Sequence, residues 1–167
     1  HSDHAKNLQK LKGISNAKIV AHTAAQKNLK KGMASFPAGN SVFTKLISWL
    51  MNKFLAQSGK FPATAADILV KDTYSLKNWG VDGSIHAVPG HTQDSIIILI
   101  DKKHCFVGDT MFNVLPWSVY PLFANDQNQL AESWRYLKKI PEIERFYPGH
   151  GQPFSRDKFL RSYNKIE

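Results

Sequence analysis

Three times in this chain an apolar segment of strand character runs into a glycine that is followed at once by a histidine or an aspartate. The segments are Val88-Pro89-Gly90-His91-Thr92, Phe106-Val107-Gly108-Asp109-Thr110 and Phe146-Tyr147-Pro148-Gly149-His150-Gly151. A strand carries the chain to the edge of a sheet, and a glycine lets the backbone turn there without a Cβ clash. The next side chain is then expected in a loop held by a rigid scaffold, where binding residues collect. A fourth group, His1-Ser2-Asp3-His4, packs three potential metal ligands into four residues.

Taken singly, PGH reads as a turn with a surface histidine, GD as a turn or helix N-cap, and HSDH as an affinity-tag remnant or a helix start. Their joint occurrence on strand ends reads as a metal site. Imidazole nitrogen and carboxylate oxygen together suit Zn²⁺, Fe or Mn, and a donor set without thiolate argues against Cu(I) or an iron–sulfur cluster. Six such ligands (His1, Asp3, His4, His91, Asp109 and His150) exceed the four of a closed structural zinc site, so two divalent metals are the economical reading.

The 167 residues fit one domain, with no repeat and no linker that would split them. Ala17–Ala21 reads as a short buried strand after a turn at Gly13–Asn16, and Thr23–Lys31 as a helix stopped by Gly32. A second helix is expected from Gly39–Ser41 to about Gln57. Strands follow at 68–70, 74–76, 85–88, 95–100, 105–107 and 143–147, with hairpins near 81–84 and 101–104. Helices are expected at 125–139 and 155–164. Strands grouped in the middle with helices around them give an α/β or α+β class built in layers.

The four motifs, in this order, resemble the metallo-β-lactamase superfamily, whose signature H-x-H-x-D-H is followed by these later elements. The resemblance covers nearly the whole chain and sits with the glyoxalase-II and lactonase branches, because Asp109 stands where one lactamase subgroup has a cysteine ligand. It implies an αββα sandwich with metals at one edge. His1 and His91 would hold the first metal, Asp3, His4 and His150 the second, and Asp109 would bridge them. The family motif has a further histidine two positions before His1, and the family fold has strands upstream. The resemblance therefore implies that this chain is the C-terminal portion of the sandwich. A sheet face or edge left open in this way is expected to pair with a second copy or with the upstream part, and the first metal is expected to be under-occupied.

On this reading the chain is a dinuclear metal hydrolase, with Asp3 and Asp109 as catalytic carboxylates. A hydroxide held between two metals would attack an ester, thioester, lactone or amide carbonyl of a small-molecule substrate. The alternatives are a phosphodiesterase or nuclease of the same superfamily, an iron-dependent oxidising member, and a binding fragment whose metals serve structure only.

The net charge of +9 comes mostly from lysines; only Arg135, Arg145, Arg156 and Arg161 are arginines. The lysines are spread along the chain, which reads as solvated surface rather than a nucleic-acid face. The longest apolar run, Ile96 to Ile100, is far short of a membrane span, and with no signal-peptide pattern a cytoplasmic protein is expected. In the stretch 42–55, Val42, Phe43, Leu46, Ile47, Leu50, Met51 and Phe54 share one helical face, with Lys45, Ser48, Asn52 and Lys53 on the other side and Trp49 at the polar margin. It reads first as a helix covering the sheet, with a substrate lid or a partner- or membrane-facing surface as the sharper alternative. The aromatic loop from Met111 and Phe112 to Trp117, Tyr120 and Phe123 is a candidate pocket wall, with core packing as the equal alternative. Cys105 reads as core, and His22, His86 and His104 as ordinary histidines outside the site.

Overall fold

The run Ile96-Ile97-Ile98-Leu99-Ile100 has no polar position, and such a strand is one that a layered fold buries on both sides. In the computed structural model, which describes residues 1–54 and 56–165, it is a central strand, β5 (Ile96–Ile100), of a six-stranded sheet. The sheet order is β3 (Thr73–Ser75), β4 (Gly83–Ala87), β5, β6 (His104–Asn113), β7 (Arg145–Gly151) and β8 (Phe154–Ser155). All neighbours are antiparallel except β6 and β7, which run parallel. A separate parallel pair joins β1 (Val20–His22) to β2 (Ile68–Val70). The helices are α1 (Ser2–Ala5), α2 (Leu8–Ser15), α3 (Gln26–Lys31), α4 (Val42–Phe54), α5 (Gln127–Lys138) and α6 (Arg156–Tyr163).

One face of the large sheet makes the core. Ile97, Leu99, Cys105, Val107 and Phe146 pack beneath α5 and α6. Helix α5 buries Leu130, Ser133, Trp134 and Leu137, the spacing of one helical stripe, and Asp126 caps it by accepting from the Asn128 and Gln129 amides. Trp134 is fully buried against Phe159, and its indole N–H donates to the Thr110 carbonyl at 3.0 Å. Phe146 lies between Phe154 and Phe159, with centroids at 5.3 and 4.9 Å. Burial of each such phenylalanine contributes about 1.5–3 kcal/mol.

The other face carries Ile85, Ile98, Phe106 and Tyr147 in one register row. Phe106 stacks on Tyr147 at 4.6 Å, yet Phe106 is 44% exposed and Ile98 36%. The apolar character that Ile98 and Phe106 bring to this face is only half used within the described residues.

Helix α4 departs from the sequence reading of a helix that covers the sheet. Two residues of its polar side tie it to the preceding loop: Ser48 Oγ donates to the Pro37 carbonyl at 2.7 Å, and Asn52 bonds the Phe36 amide and carbonyl at 2.9 and 3.0 Å, while Lys45 and Lys53 stay exposed. Thr44 is buried and exchanges hydrogen bonds with Ser41 at the helix start. Val42, Phe43, Leu46, Trp49, Leu50 and Phe54 face outward instead. Hydrogen bonds to loop 36–41, rather than apolar contact, decide which side turns in. Leu55, expected to continue this helix, lies outside the described residues.

Other boundaries move as well. Gly13, expected in a turn, lies inside α2, which ends at left-handed Asn16. The segment read as Cys105–Val107 is a strand of ten residues, β6, and the one read as Ile143–Tyr147 begins and ends later, as β7. Among the described residues no helix is long and apolar enough to cross a membrane.

Candidate metal centre

His91 follows β4 in a loop, as the sequence suggests, while Asp109 and His150 differ: both lie within strands, on β6 and β7, which pair in parallel. The strands do not end at their glycines. β6 shifts register on either side of Gly108 and continues, which turns Asp109 into the site without leaving the sheet. Gly90 is where the backbone needs glycine: its φ is +139°, and a Cβ there would overlap the Leu130 backbone. His1, Asp3 and His4 arrive on α1 and the residue before it.

These elements bring all six side chains together. The ligand-type atoms of His1, His91 and Asp109 lie within 4.8 Å of one another, and so do those of Asp3, His4 and His150. Asp109 reaches both trios. Its Oδ2 lies 3.1 Å from His4 Nε2 and 3.5 Å from His91 Nε2, and its Oδ1 3.5 Å from His150 Nε2. Asp3 Oδ2 lies 3.3 Å from His150 Nε2 and 3.6 Å from His4 Nε2. The rings of His1 and His91, and those of His4 and His150, meet edge to face at 5.1 and 5.6 Å.

Three features match this cluster to a cation. His91 Nδ1 bonds the Phe123 carbonyl at 2.8 Å, which fixes its proton there and leaves the Nε2 lone pair free to bind. That Nε2 and Asp109 Oδ1 are buried without a hydrogen-bond partner. A buried lone pair in this state is destabilising unless something else satisfies it. Gly149 leaves the room: a Cβ there would overlap Asp109 Oδ1 and stand 2.8 Å from His4 Cε1.

The electrostatics follow from the packing. Burial pushes the Asp109 carboxyl up, but the His4 hydrogen bond and the charges of His4, His91 and His150 outweigh it, so the net shift is downward. The hydrogen bond to Asp109 raises His4 against its own desolvation. Desolvation lowers His91, opposed by Asp109 and the Phe123 carbonyl.

A cavity of about 700 Å³ opens onto the cluster, touching His1, Asp3, His91, Asp109 and His150. Its walls are largely apolar: Met33 and Phe36, Met51 of α4, and Phe112, Leu122 and Phe123. The aromatic loop is thus divided. Phe112 and Phe123 line the cavity, Met111 and Val119 belong to the core, Tyr120 packs on Trp134, and Trp117 is exposed. Sequence reading missed Phe36, Met33 and the Phe123 carbonyl, since nothing in a motif marks a wall residue or a backbone acceptor. Cys105 is buried core, its thiol pushed up to about 12 by burial. His22 caps the turn 23–25, His86 bonds Ser84 and Tyr136, and His104 bonds Tyr147, all away from the cluster.

A mixed sheet under two helices, with histidines and aspartates gathered at one edge, defines a metallo-hydrolase fold. The chain belongs to the metallo-beta-lactamase superfamily, whose family model matches residues 1–150. It is 27% identical over 100 residues to hydroxyacylglutathione hydrolase from Pelagibacter ubique, an alignment covering 59% of this chain and 41% of that one. Among solved structures, the BLEG-1 B3 metallo-beta-lactamase superposes with a TM-score of 0.70 at 18% identity, over 96% of this chain and 70% of its own. TTHA1623, crystallised in a di-iron-bound form, superposes with a TM-score of 0.65 at 18% identity, over 97% of this chain and 71% of its own. The chain spans about two fifths of the curated relative and matches only part of the full structures.

Proposed function

We propose that this chain carries the site of a dinuclear metal-dependent hydrolase acting on a carbonyl ester, thioester, lactone or amide. The observation that carries the reading is the pair of buried, unpartnered atoms, His91 Nε2 and Asp109 Oδ1, aimed into a cluster of six ligand-type side chains. His1, His91 and Asp109 would hold one cation, and Asp3, His4 and His150, with Asp109 between, the other. Zinc, or iron as in the di-iron relative, would supply Lewis acidity and lower the pKa of water to about 7.

The chain's own residues do the rest. The Phe123 carbonyl holds the His91 ring in one tautomer. Asp109, kept ionised by the surrounding imidazoles, orders both trios at once. Asp3 is half exposed at the rim, where its carboxylate can pass protons between the site and solvent. The apolar walls exclude water and suit a substrate with an apolar portion. Hydroxyacylglutathione hydrolase, the curated relative, supports a thioester or ester over a phosphodiester.

The test is metal analysis of the purified protein with a screen of thioester, lactone, aryl ester and bis-aryl phosphodiester substrates, beside Asp109→Ala. Metal-dependent turnover of a carbonyl substrate, lost in the variant, is expected. Turnover confined to phosphodiesters would replace this reading with a phosphodiesterase.

A further inference from the structure

We propose that α4 is an interfacial helix that seats the protein on an anionic lipid bilayer. Only the Met51 edge of the apolar stripe turns in, toward the cavity, and the rest of the stripe is left uncovered among the described residues. Ser48 and Asn52 tie the helix to Pro37 and Phe36, so it cannot roll to bury its apolar stripe without breaking those bonds. The outward stripe then presents Val42, Phe43, Leu46, Trp49, Leu50 and Phe54, with Phe43 72% and Phe54 65% exposed. Exposed large apolar side chains gathered on one side of a helix mark a docking face. Lys45 and Lys53 of the same helix are exposed, and the Lys53 ammonium lies 4.6 Å from the Trp49 ring, as a snorkelling lysine beside an interfacial aromatic would.

Charge selects the occupant. From His4 to Ala66 the chain carries ten lysines and no aspartate or glutamate. With Asp3 included, residues 1–66 hold ten of the 22 basic and one of the 13 acidic residues, so residues 67–167 hold twelve of each. The whole net charge therefore sits in the segment that bears α4. A second copy of this chain would bring lysines against lysines in a two-fold contact. A nucleic acid would have no use for Val42, Phe43 and Leu46, and this segment has no arginine to read it. An anionic bilayer meets both properties: acyl chains for the stripe and headgroups for the lysines.

The same helix lines the cavity through Met51 and Asn52. Seated on a bilayer, the protein would hold the cavity beside the lipid, within reach of an amphiphilic acyl substrate. This last step rests on the hydrolase reading; the docking itself does not.

The test is sedimentation of the full-length protein with vesicles of phosphatidylcholine, alone or mixed with phosphatidylglycerol, and needs no turnover. Binding to the mixed vesicles is expected, about tenfold or more tighter than to phosphatidylcholine and weakened by salt. Phe43→Ser with Leu46→Ser, and separately Lys45→Glu with Lys53→Glu, should each lose that binding with an unchanged circular dichroism spectrum. A blue shift of tryptophan emission on vesicles should vanish in Trp49→Phe. The proposal is overturned if the protein stays in the supernatant, if both double variants sediment like the parent, or if the face serves only a dimer or a nucleic acid. Vesicle binding without hydrolysis of any carbonyl substrate would leave docking standing and remove the proposed activity.

Discussion

The two parts of this chain are held together by different physics. Among the described residues, every member of the main core cluster lies between Val88 and Tyr163. Among the described residues, the first 66 bury small or scattered apolar side chains, Ala5, Ile19, Ala25 and Leu29, and outside the metal cluster hold their shape with hydrogen bonds and an ion pair from Lys12 to Asp67. The candidate metal centre draws His91, Asp109 and His150 from the packed part and His1, Asp3 and His4 from the thin one. Half the ligand set is thus preorganised by a core, and the other half by little besides the cluster itself.

That contrast can be broken by substitution. Trp134→Ala should lower global stability by about 3–5 kcal/mol, read as a shift in the denaturant midpoint. Leu29→Ala should instead loosen α3 and β1 while leaving the slowest-exchanging amides of β5 and β6 unchanged. An equal loss across the chain in both variants would show a single cooperative unit.

Asp109→Asn sharpens the comparison at the junction. The variant keeps the shape and loses the charge that both trios share. Metal content should fall at both positions, with affinity reduced more than about 100-fold, because even a partner of a ligand is worth about 10–100-fold. Retention of one tightly bound metal, measured by elemental analysis, would show that Asp109 serves one trio alone.

Chelation should act unevenly. Removing metal with a strong chelator should deprotect the backbone of α1 and α2 to hydrogen exchange and leave β5 and β6 as they were. Uniform deprotection would mean that the metal supports the core as well.

The smallest effect concerns Asp67, which links α2 and β1. The Lys12 hydrogen bond first, and the Ile19 amide second, hold its carboxyl below the ordinary range. A depressed carboxyl stabilises the fold above its unfolded value of about 3.9 and loses that contribution as pH falls through the folded value. Acidification should therefore release β1 before β5, and Asp67→Asn should remove that pH dependence without affecting the metal content.

Much of the site could be read from the chain because ligand chemistry is local. Gly90-His91, Gly108-Asp109 and Gly149-His150 each announce themselves within a few residues. What could not be read is what depends on partners far away. The strand patterns around Asp109 and His150 are broken by Gly108 and Pro148, so the strands looked finished where β6 and β7 continue as a pair. Helix α4 has a strong apolar stripe, and periodicity says which residues share a face but not which face turns inward. Ser48 and Asn52 decide that through the carbonyls of Pro37 and Phe36, which no helical pattern displays.

The contact between His4 and Asp109 spans 105 positions of the chain. Closing a loop of that length carries an entropic penalty that a cation holding both ends would convert from a fluctuating encounter into a fixed crosslink. Because that penalty grows only as the logarithm of length, about 0.6 kcal/mol per doubling, a distant ligand is hardly harder to recruit than a near one. Such a pair also forms late, after the strands between its members have found their places. A bound cation would then act as a latch on the finished chain, and its capture would report that the sheet beneath it is already in register.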